Sequence, residues 1–242
     1  ASGKIVSGAV TFSCSSSTPC TTESSIHRYL GNGAADESFG DSGVVSLGFV
    51  GPVVGISGIL IQDDGRIVVG LSESARPQAL VRLQPSGAID TTFGNNGIAV
   101  SNEPNFFVGG APELGADGRI LIPGSVGAFP NGEMAVEAFT ADGQPSSEFG
   151  TNGLASVFGG PGTEGQATSL SVRPDGRIIV AGSAPGAPGT GAIVAQIDGG
   201  GEIDPSFARV GTFVQPGGPL VVADSALLPH GKVGITESSV YR

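Results

Sequence analysis

Gly87-Ala-Ile-Asp90-Thr-Thr-Phe93-Gly94-Asn-Asn-Gly97 is one of four stretches in this chain that share the pattern G-x-x-D-x-x-F-G-x-x-G. The others are Gly33-Ala-Ala-Asp36-Glu-Ser-Phe39-Gly40-Asp-Ser-Gly43, Gly143-Gln-Pro-Ser146-Ser-Glu-Phe149-Gly150-Thr-Asn-Gly153 and Gly201-Glu-Ile-Asp204-Pro-Ser-Phe207-Ala208-Arg-Val-Gly211. Their phenylalanines stand 54, 56 and 58 residues apart, and the internal register is the same each time. Recurrence at such a period is the sequence signature of a repeat architecture.

A second element recurs five times, a turn glycine and a basic residue followed by an apolar run: Gly3-Lys4-Ile5-Val6, Gly65-Arg66-Ile67-Val68-Val69, Gly118-Arg119-Ile120-Leu121-Ile122, Gly176-Arg177-Ile178-Ile179-Val180 and Gly231-Lys232-Val233. Asp64, Asp117 and Asp175 precede three of the glycines, giving the Asp-Gly pair favoured in two-residue hairpin turns. Before the turn, Ile59/Ile61 and Leu170/Val172 alternate as in a half-buried strand. After it the run is apolar at nearly every position, as in a strand covered on both faces. A third strand is expected at Ile26–Tyr29, Ala79–Leu83, Ala135–Phe139 and Ala192–Ile197, and a weaker fourth after each Phe-Gly element, as at Ile98–Val100 and Thr212–Val214. With 42 Gly and 17 Pro punctuating the chain, helices have little room.

The expected fold is therefore all-β, a β-propeller or propeller segment of about 4–5 four-stranded repeat units. One repeat domain over 1–242 would contain units at approximately 1–43 (partial), 44–97, 98–153, 154–211 and 212–242 (partial). The partial units overlap rather than complement each other, since Thr236-Glu-Ser-Ser-Val240 echoes Thr22-Glu-Ser-Ser-Ile26. That overlap suits a piece of a longer array or a contact between chains better than a self-contained ring.

These residues resemble the delta-60 repeat family, whose units carry D-G-K/R-I-V and then L-D-x-S-F-G. Ser146 for Asp, Ala208 for Gly and His230 for the turn Asp depart from its pattern. The resemblance implies a secreted or cell-surface bacterial protein of propeller-like build and brings no catalytic mechanism with it.

A net charge of −11, with only two lysines, repels phosphate backbones and anionic bilayers, so neither nucleic-acid binding nor membrane insertion is expected. No apolar run reaches the length of a membrane-spanning helix. Cys14 and Cys20, five residues between them, suit a local disulfide stabilising by about 2 kcal/mol and hence an oxidising, extracellular or cell-surface compartment. They lie in Thr11–Ser25, where ten of 15 residues are Ser or Thr. This stretch reads either as a tolerated surface insertion or as a contact loop or glycosylated stalk.

No catalytic, cofactor-binding or metal residues are expected. His27 and His230 occupy different repeat positions outside any ligand spacing, which removes the base for Ser or Cys nucleophiles. G-x-S-x-G is absent, and Gly160–Gly165 fits G-x-G-x-x-G without a following helix signal. Carboxylate pairs for sugar cleavage would lack a stacking cleft, there being no Trp and only Tyr29 and Tyr241. Calcium has its best local cluster at Asp36, Glu37 and Asp41, though without EF-hand spacing. Phe39, Phe93, Phe149 and Phe207 are expected to anchor loops between neighbouring units, and Asp36, Asp90 and Asp204 to bind amides of their own turns. The function expected is a non-catalytic scaffold for adhesion or for binding proteins or glycans. A subunit that self-assembles into a filament or surface layer by strand completion is the alternative, and a glycan-active enzyme or lectin a weaker one.

Overall fold

The computed structural model describes residues 3–15, 18–48, 54–73, 79–127, 132–158, 165–184, 190–208, 210–216, 220–229 and 232–239. Among these there are strands and turns but no α-helix, and no helix is long and apolar enough to cross a membrane. The side chains of Cys14 and Cys20, on which the expected disulfide rests, lie outside the described set, as do His230, Tyr241 and the Val240 end of the C-terminal echo.

Two compact units are formed, Ala1–Val100 and Ser101–Arg242. In the first, β1 (Ile5–Ser15), β2 (Thr18–Tyr29) and β3 (Val44–Ser46) make one antiparallel sheet, in that order. β4 (Val54–Ile61), β5 (Ile67–Glu73), β6 (Ala79–Leu83) and β7 (Ile98–Val100) make a second. Ile67, Val69, Leu71, Val81 and Leu83 of the second sheet form a core with Ile26, Phe39 and Leu47 of the first.

In the second unit, β8 (Phe106–Val108), β9 (Glu113–Leu114), β10 (Ile120–Val126), β11 (Glu133–Phe139) and β12 (Leu154–Phe158) share a sheet in which β8 and β9 pair with successive parts of β10. The first strand of this sheet is thus split in two. Gly109 and Gly110 lie at the break, where a Cβ on either would meet a carbonyl oxygen of Ala167 or Thr168 at 2.0 Å. β13 (Gln166–Val172), β14 (Ile178–Ser183), β15 (Thr190–Ile197) and β16 (Thr212–Pro216) follow as a four-stranded sheet, and β17 (Leu220–Leu227) pairs with β18 (Val233–Ser239). Along β14, Ile178 and Val180 enter one core while Ile179 and Ala181 enter another with Val222. Covering both faces is what makes the run after Gly176-Arg177 apolar throughout.

The unit boundaries read from the sequence need one correction. They were placed before the strand that follows each Phe-Gly element, whereas that strand closes the sheet it follows: β3 pairs with β2, β7 with β6, β12 with β11 and β16 with β15. The loop carrying the element turns back on itself, so the next strand lands beside the one just left. The sheets accordingly span 5–46, 54–100, 106–158, 166–216 and 220–239.

The glycine after each phenylalanine is fixed by that return. Gly40, Gly94 and Gly150 have φ of 55°, 54° and 51°, and a Cβ on Gly94 would sit 2.2 Å from the Ile98 carbonyl oxygen. Ala208 takes the same place in the fourth loop with φ 50°, so the left-handed conformation alone does not exclude a side chain. Gly94→Ala is expected to cost about 2–3 kcal/mol, because the carbonyl must move as well. Gly118→Ala, with φ 84° but nothing within 4 Å of its Cβ, should cost about 1 kcal/mol. Urea unfolding of the two variants measures the difference.

Candidate functional site

The two recurring sequence elements meet in space. Asp36 stands eight residues after Arg28 of β2, and its N–H donates to the Arg28 carbonyl at 2.9 Å, which lays the loop alongside the strand. One carboxylate oxygen, Oδ1, accepts from the Ser38 N–H (3.2 Å) and hydroxyl (2.6 Å). The other, Oδ2, receives Arg28 Nε and Lys4 Nζ, both at 2.7 Å. The second copy repeats this: Thr92 on Asp90 Oδ1, and Arg82 Nε (2.8 Å) and Arg66 Nε (3.2 Å) on Oδ2. In the fourth, Ser206 binds Asp204 Oδ1, while Gln196 Nε2 (2.6 Å) and Arg177 Nη1 (3.3 Å) reach Oδ2. The basic residue of the Gly-Lys/Arg element is thus a partner of the Asp 24 to 32 residues later, beyond the turn amides that sequence reading assigns to it.

The third copy lacks both halves of the buried pair. Ser146 replaces the Asp, and the position eight residues earlier, Arg28 and Arg82 in the first two sheets, is Ala138. Arg119 survives; it pairs with Asp117 and donates from Nη2 to the Gly199 carbonyl at 2.7 Å. The joint loss of acid and base is the signal in the sequence from which the pairing could have been inferred.

The guanidinium groups also cover the phenylalanines. Arg28 lies 4.3 Å from the Phe39 ring centroid, Arg82 4.4 Å from Phe93 and Arg119 5.5 Å from Phe149. These three rings are fully buried; Phe207 is half-buried beside the Ile179 and Val222 cluster. The first and third loops then grip the following sheet of their own units. The Gly40 N–H donates to Ser86 O at 2.8 Å, and the Gly150 N–H to Gly200 O at 2.7 Å. The first glycine of the next element closes the contact, since a Cβ on Gly87 would approach Phe39 to 3.1 Å and one on Gly201 would approach Phe149 to 3.2 Å.

Hydrogen bonds from Lys4 and Ser38 hold the Asp36 carboxyl well below the usual carboxylate range, and Ser206 and Gln196 bring Asp204 to about 2. At Asp90 burial pushes upward, but Thr92 and Arg82 outweigh it and the net shift is down. A carboxyl depressed on folding stabilises the native state above its unfolded pKa of about 3.9, and that contribution is lost as pH falls toward the folded value. Thermal melts should therefore show the midpoint falling between pH 4 and pH 2, with a smaller fall in Asp204→Asn than in the unmodified chain.

Asp36, proposed with Glu37 and Asp41 as the best calcium cluster, has both oxygens engaged by Ser38, Arg28 and Lys4, while Glu37 and Asp41 are exposed. Among the described residues no three His, Cys, Asp or Glu side chains gather as a metal site. His27 stacks on Tyr29 and shares a hydrogen bond with Ser25 Oγ at 2.9 Å.

One buried carboxyl has no counterpart in the other sheets. Glu137 on β11 is 3% exposed and pairs with Leu154, the first residue of the following strand. In that register the first sheet has His27, paired with Val44, the second Val81, paired with Ile98, and the fourth Ala195, paired with Thr212. Burial raises the Glu137 carboxyl to about 7, with the Glu103 charge adding to the shift against hydrogen bonds from Ser101 and the Asn102 backbone. The carboxyl lines a pocket of about 470 Å³ with Asn102, Glu103, Ser147, Thr151 and Asn152.

Residues 62–93 and 173–207 match the family described as Domain of unknown function (DUF5122) beta-propeller. Each stretch runs from the end of a first strand, through the Gly-Arg strand, to the Phe of the Phe-Gly element. This chain is similar to a β-propeller family.

No curated protein matches it. Thirty chains of known structure do. A glucose dehydrogenase is 13% identical with a TM-score of 0.42, over 75% of this chain and 59% of that one, so the present chain spans well under two thirds of its length. An endo-1,4-beta-xylanase from Bacteroides thetaiotaomicron is 12% identical with a TM-score of 0.42, over 97% and 94% of the two chains. A protein of unknown function from Bacteroides caccae is 11% identical with a TM-score of 0.28, over 79% and 80%. Those activities are the other proteins' own. The all-β, propeller-type assignment rests on the sheets and on the family match.

Proposed function

We propose that this chain is a non-catalytic extracellular propeller module of the delta-60 repeat kind, which binds protein or glycan partners through its projecting loops. The observation that carries the reading is the β1–β2 ribbon. Its strands have 11 and 12 residues, against 7 and 5 for the equivalent β5 and β6. Thr11, Phe12 and Ser13 are exposed, Phe12 by 66%. A large aromatic held in water on a Ser/Thr-rich ribbon suits recognition, where aromatic side chains supply contact area at small entropic cost. The recurring Asp and Lys/Arg residues support the non-catalytic part, because they are spent on one another.

A glycan array and a screen of chromogenic glycosides test this reading together. Glycan capture that Phe12→Ser abolishes is the expected result; turnover of any glycoside would overturn it in favour of a glycan-active enzyme. A second reading is self-assembly into a filament or surface layer by strand completion, in which backbone hydrogen bonds between chains would supply the affinity. Deleting residues 236–242 without changing the oligomeric state would remove it.

A further inference from the structure

We propose that the pocket beside β11 is a calcium-class cation site, with the Glu137 and Glu103 carboxylates as its anionic ligands. The argument starts from what Glu137 lacks. Its Oε1 accepts the Ser101 hydroxyl at 2.7 Å and the Asn102 backbone also bonds the carboxyl, yet no partner lies within hydrogen-bond geometry of the buried Oε2 among the described residues. A solvent-removed carboxylate oxygen without a partner is costly, and native proteins pair such charges or place them on metals. Its register position is Val81 in the second sheet, Ala195 in the fourth and His27 in the first, so no other sheet carries an acid there.

The surroundings specify the missing partner. Ser101 organises the wall: its hydroxyl donates to Glu137 and accepts from the Glu103 N–H at 3.0 Å, and Glu103, whose Oε1 accepts from the Asn105 N–H at 3.3 Å, lines the same pocket. Asn102, Ser147, Thr151 and Asn152 add amide and hydroxyl groups beside the apolar Pro145 and Leu154, with no Lys, Arg or His among the lining residues. Above about pH 7, where Glu137 is ionised, two carboxylates with no protein cation among the lining residues leave two negative charges for a ligand to neutralise. Hard oxygen donors in a space of about 470 Å³, large enough for an ion that keeps some water, suit calcium with its six to eight flexible oxygen ligands. Smaller magnesium demands strict octahedral geometry, and zinc prefers nitrogen or sulfur.

The test is titration of the full chain with CaCl2 after chelator treatment, read by calorimetry and by the thermal midpoint at pH 8. One saturable site is expected, with CaCl2 raising the midpoint more than equal MgCl2. Glu103→Gln should weaken Kd at least tenfold and Glu137→Gln should abolish the site, whereas Asp142→Asn, an exposed acid elsewhere, should bind as the unmodified chain does. Glu137→Gln keeps the shape of the side chain, and should the variant fail to fold, Glu103→Gln alone decides. Absence of a CaCl2-dependent shift in the unmodified chain, or an equal loss in Asp142→Asn, would overturn the proposal in favour of a protonated Glu137 or diffuse counterion binding.

Discussion

Asp90→Ala should destabilise the chain by about 3–5 kcal/mol, and pairing Arg82→Ala with Asp90→Ser should recover most of that loss. The Asp90 side chain is fully buried and Arg82 is nearly so, with Asp90 Oδ2 2.8 Å from Arg82 Nε and 3.2 Å from Arg66 Nε. Removing the carboxylate leaves the Arg82 charge in a dry environment without its counter-ion, the costly half of breaking a buried pair. The double replacement is already present in the third sheet as Ala138 and Ser146, where Phe149 is as buried as Phe93. Chemical unfolding of Asp90→Ser, Arg82→Ala and the double variant should give a coupling energy of about 2 kcal/mol or more. Asp64→Ala, at the exposed Arg66 pair, should lie within about 0.5 kcal/mol of the unmodified chain.

Phe149→Ala and Phe207→Ala should differ by about 2 kcal/mol although they change the same residue of the same repeat element. Phe149 is fully buried among Met134, Val136, Ile178 and Ile197, with the Gly201 turn against its ring, so its removal leaves a cavity and should cost about 3–5 kcal/mol. Phe207 is half-buried and its loop carries Ala208 in place of glycine, so truncation there should cost about 1–2 kcal/mol. Equal losses would mean that the fourth loop clasps its neighbour as the others do.

Most of the fold was legible because periodicity and turn chemistry are local. Asp-Gly before an apolar run located β5, β10 and β14, and the Phe-Gly spacing located the loops. What the sequence did not reveal was pairing across distance. Nothing adjacent to Asp90 points to Arg66, and the split of the first strand into β8 and β9 depends on how close β13 approaches Gly109 and Gly110. The strand after each Phe-Gly element closes the sheet before it, because the loop turns the chain back beside the strand it has just left, a pairing that the repeat spacing does not encode. Glu137 was passed over for a physical reason as well. Within Ala-Val-Glu-Ala-Phe it reads as an outward-facing strand residue, and only the register with Leu154 places it at the position of Val81 and Ala195.

Native-state hydrogen exchange at the Phe-Gly loops asks most directly whether they fasten one sheet to the next. The Gly40 and Gly150 amides donate to the following sheet, and those of Gly43, Gly97 and Gly153 to the phenylalanine carbonyls. All five should exchange as slowly as the interior amides of β5 and β14. Exchange as fast as that of the exposed turn residues Asp63, Asp64 and Asp117 would show instead that the recurring element is a surface loop with the fold held elsewhere.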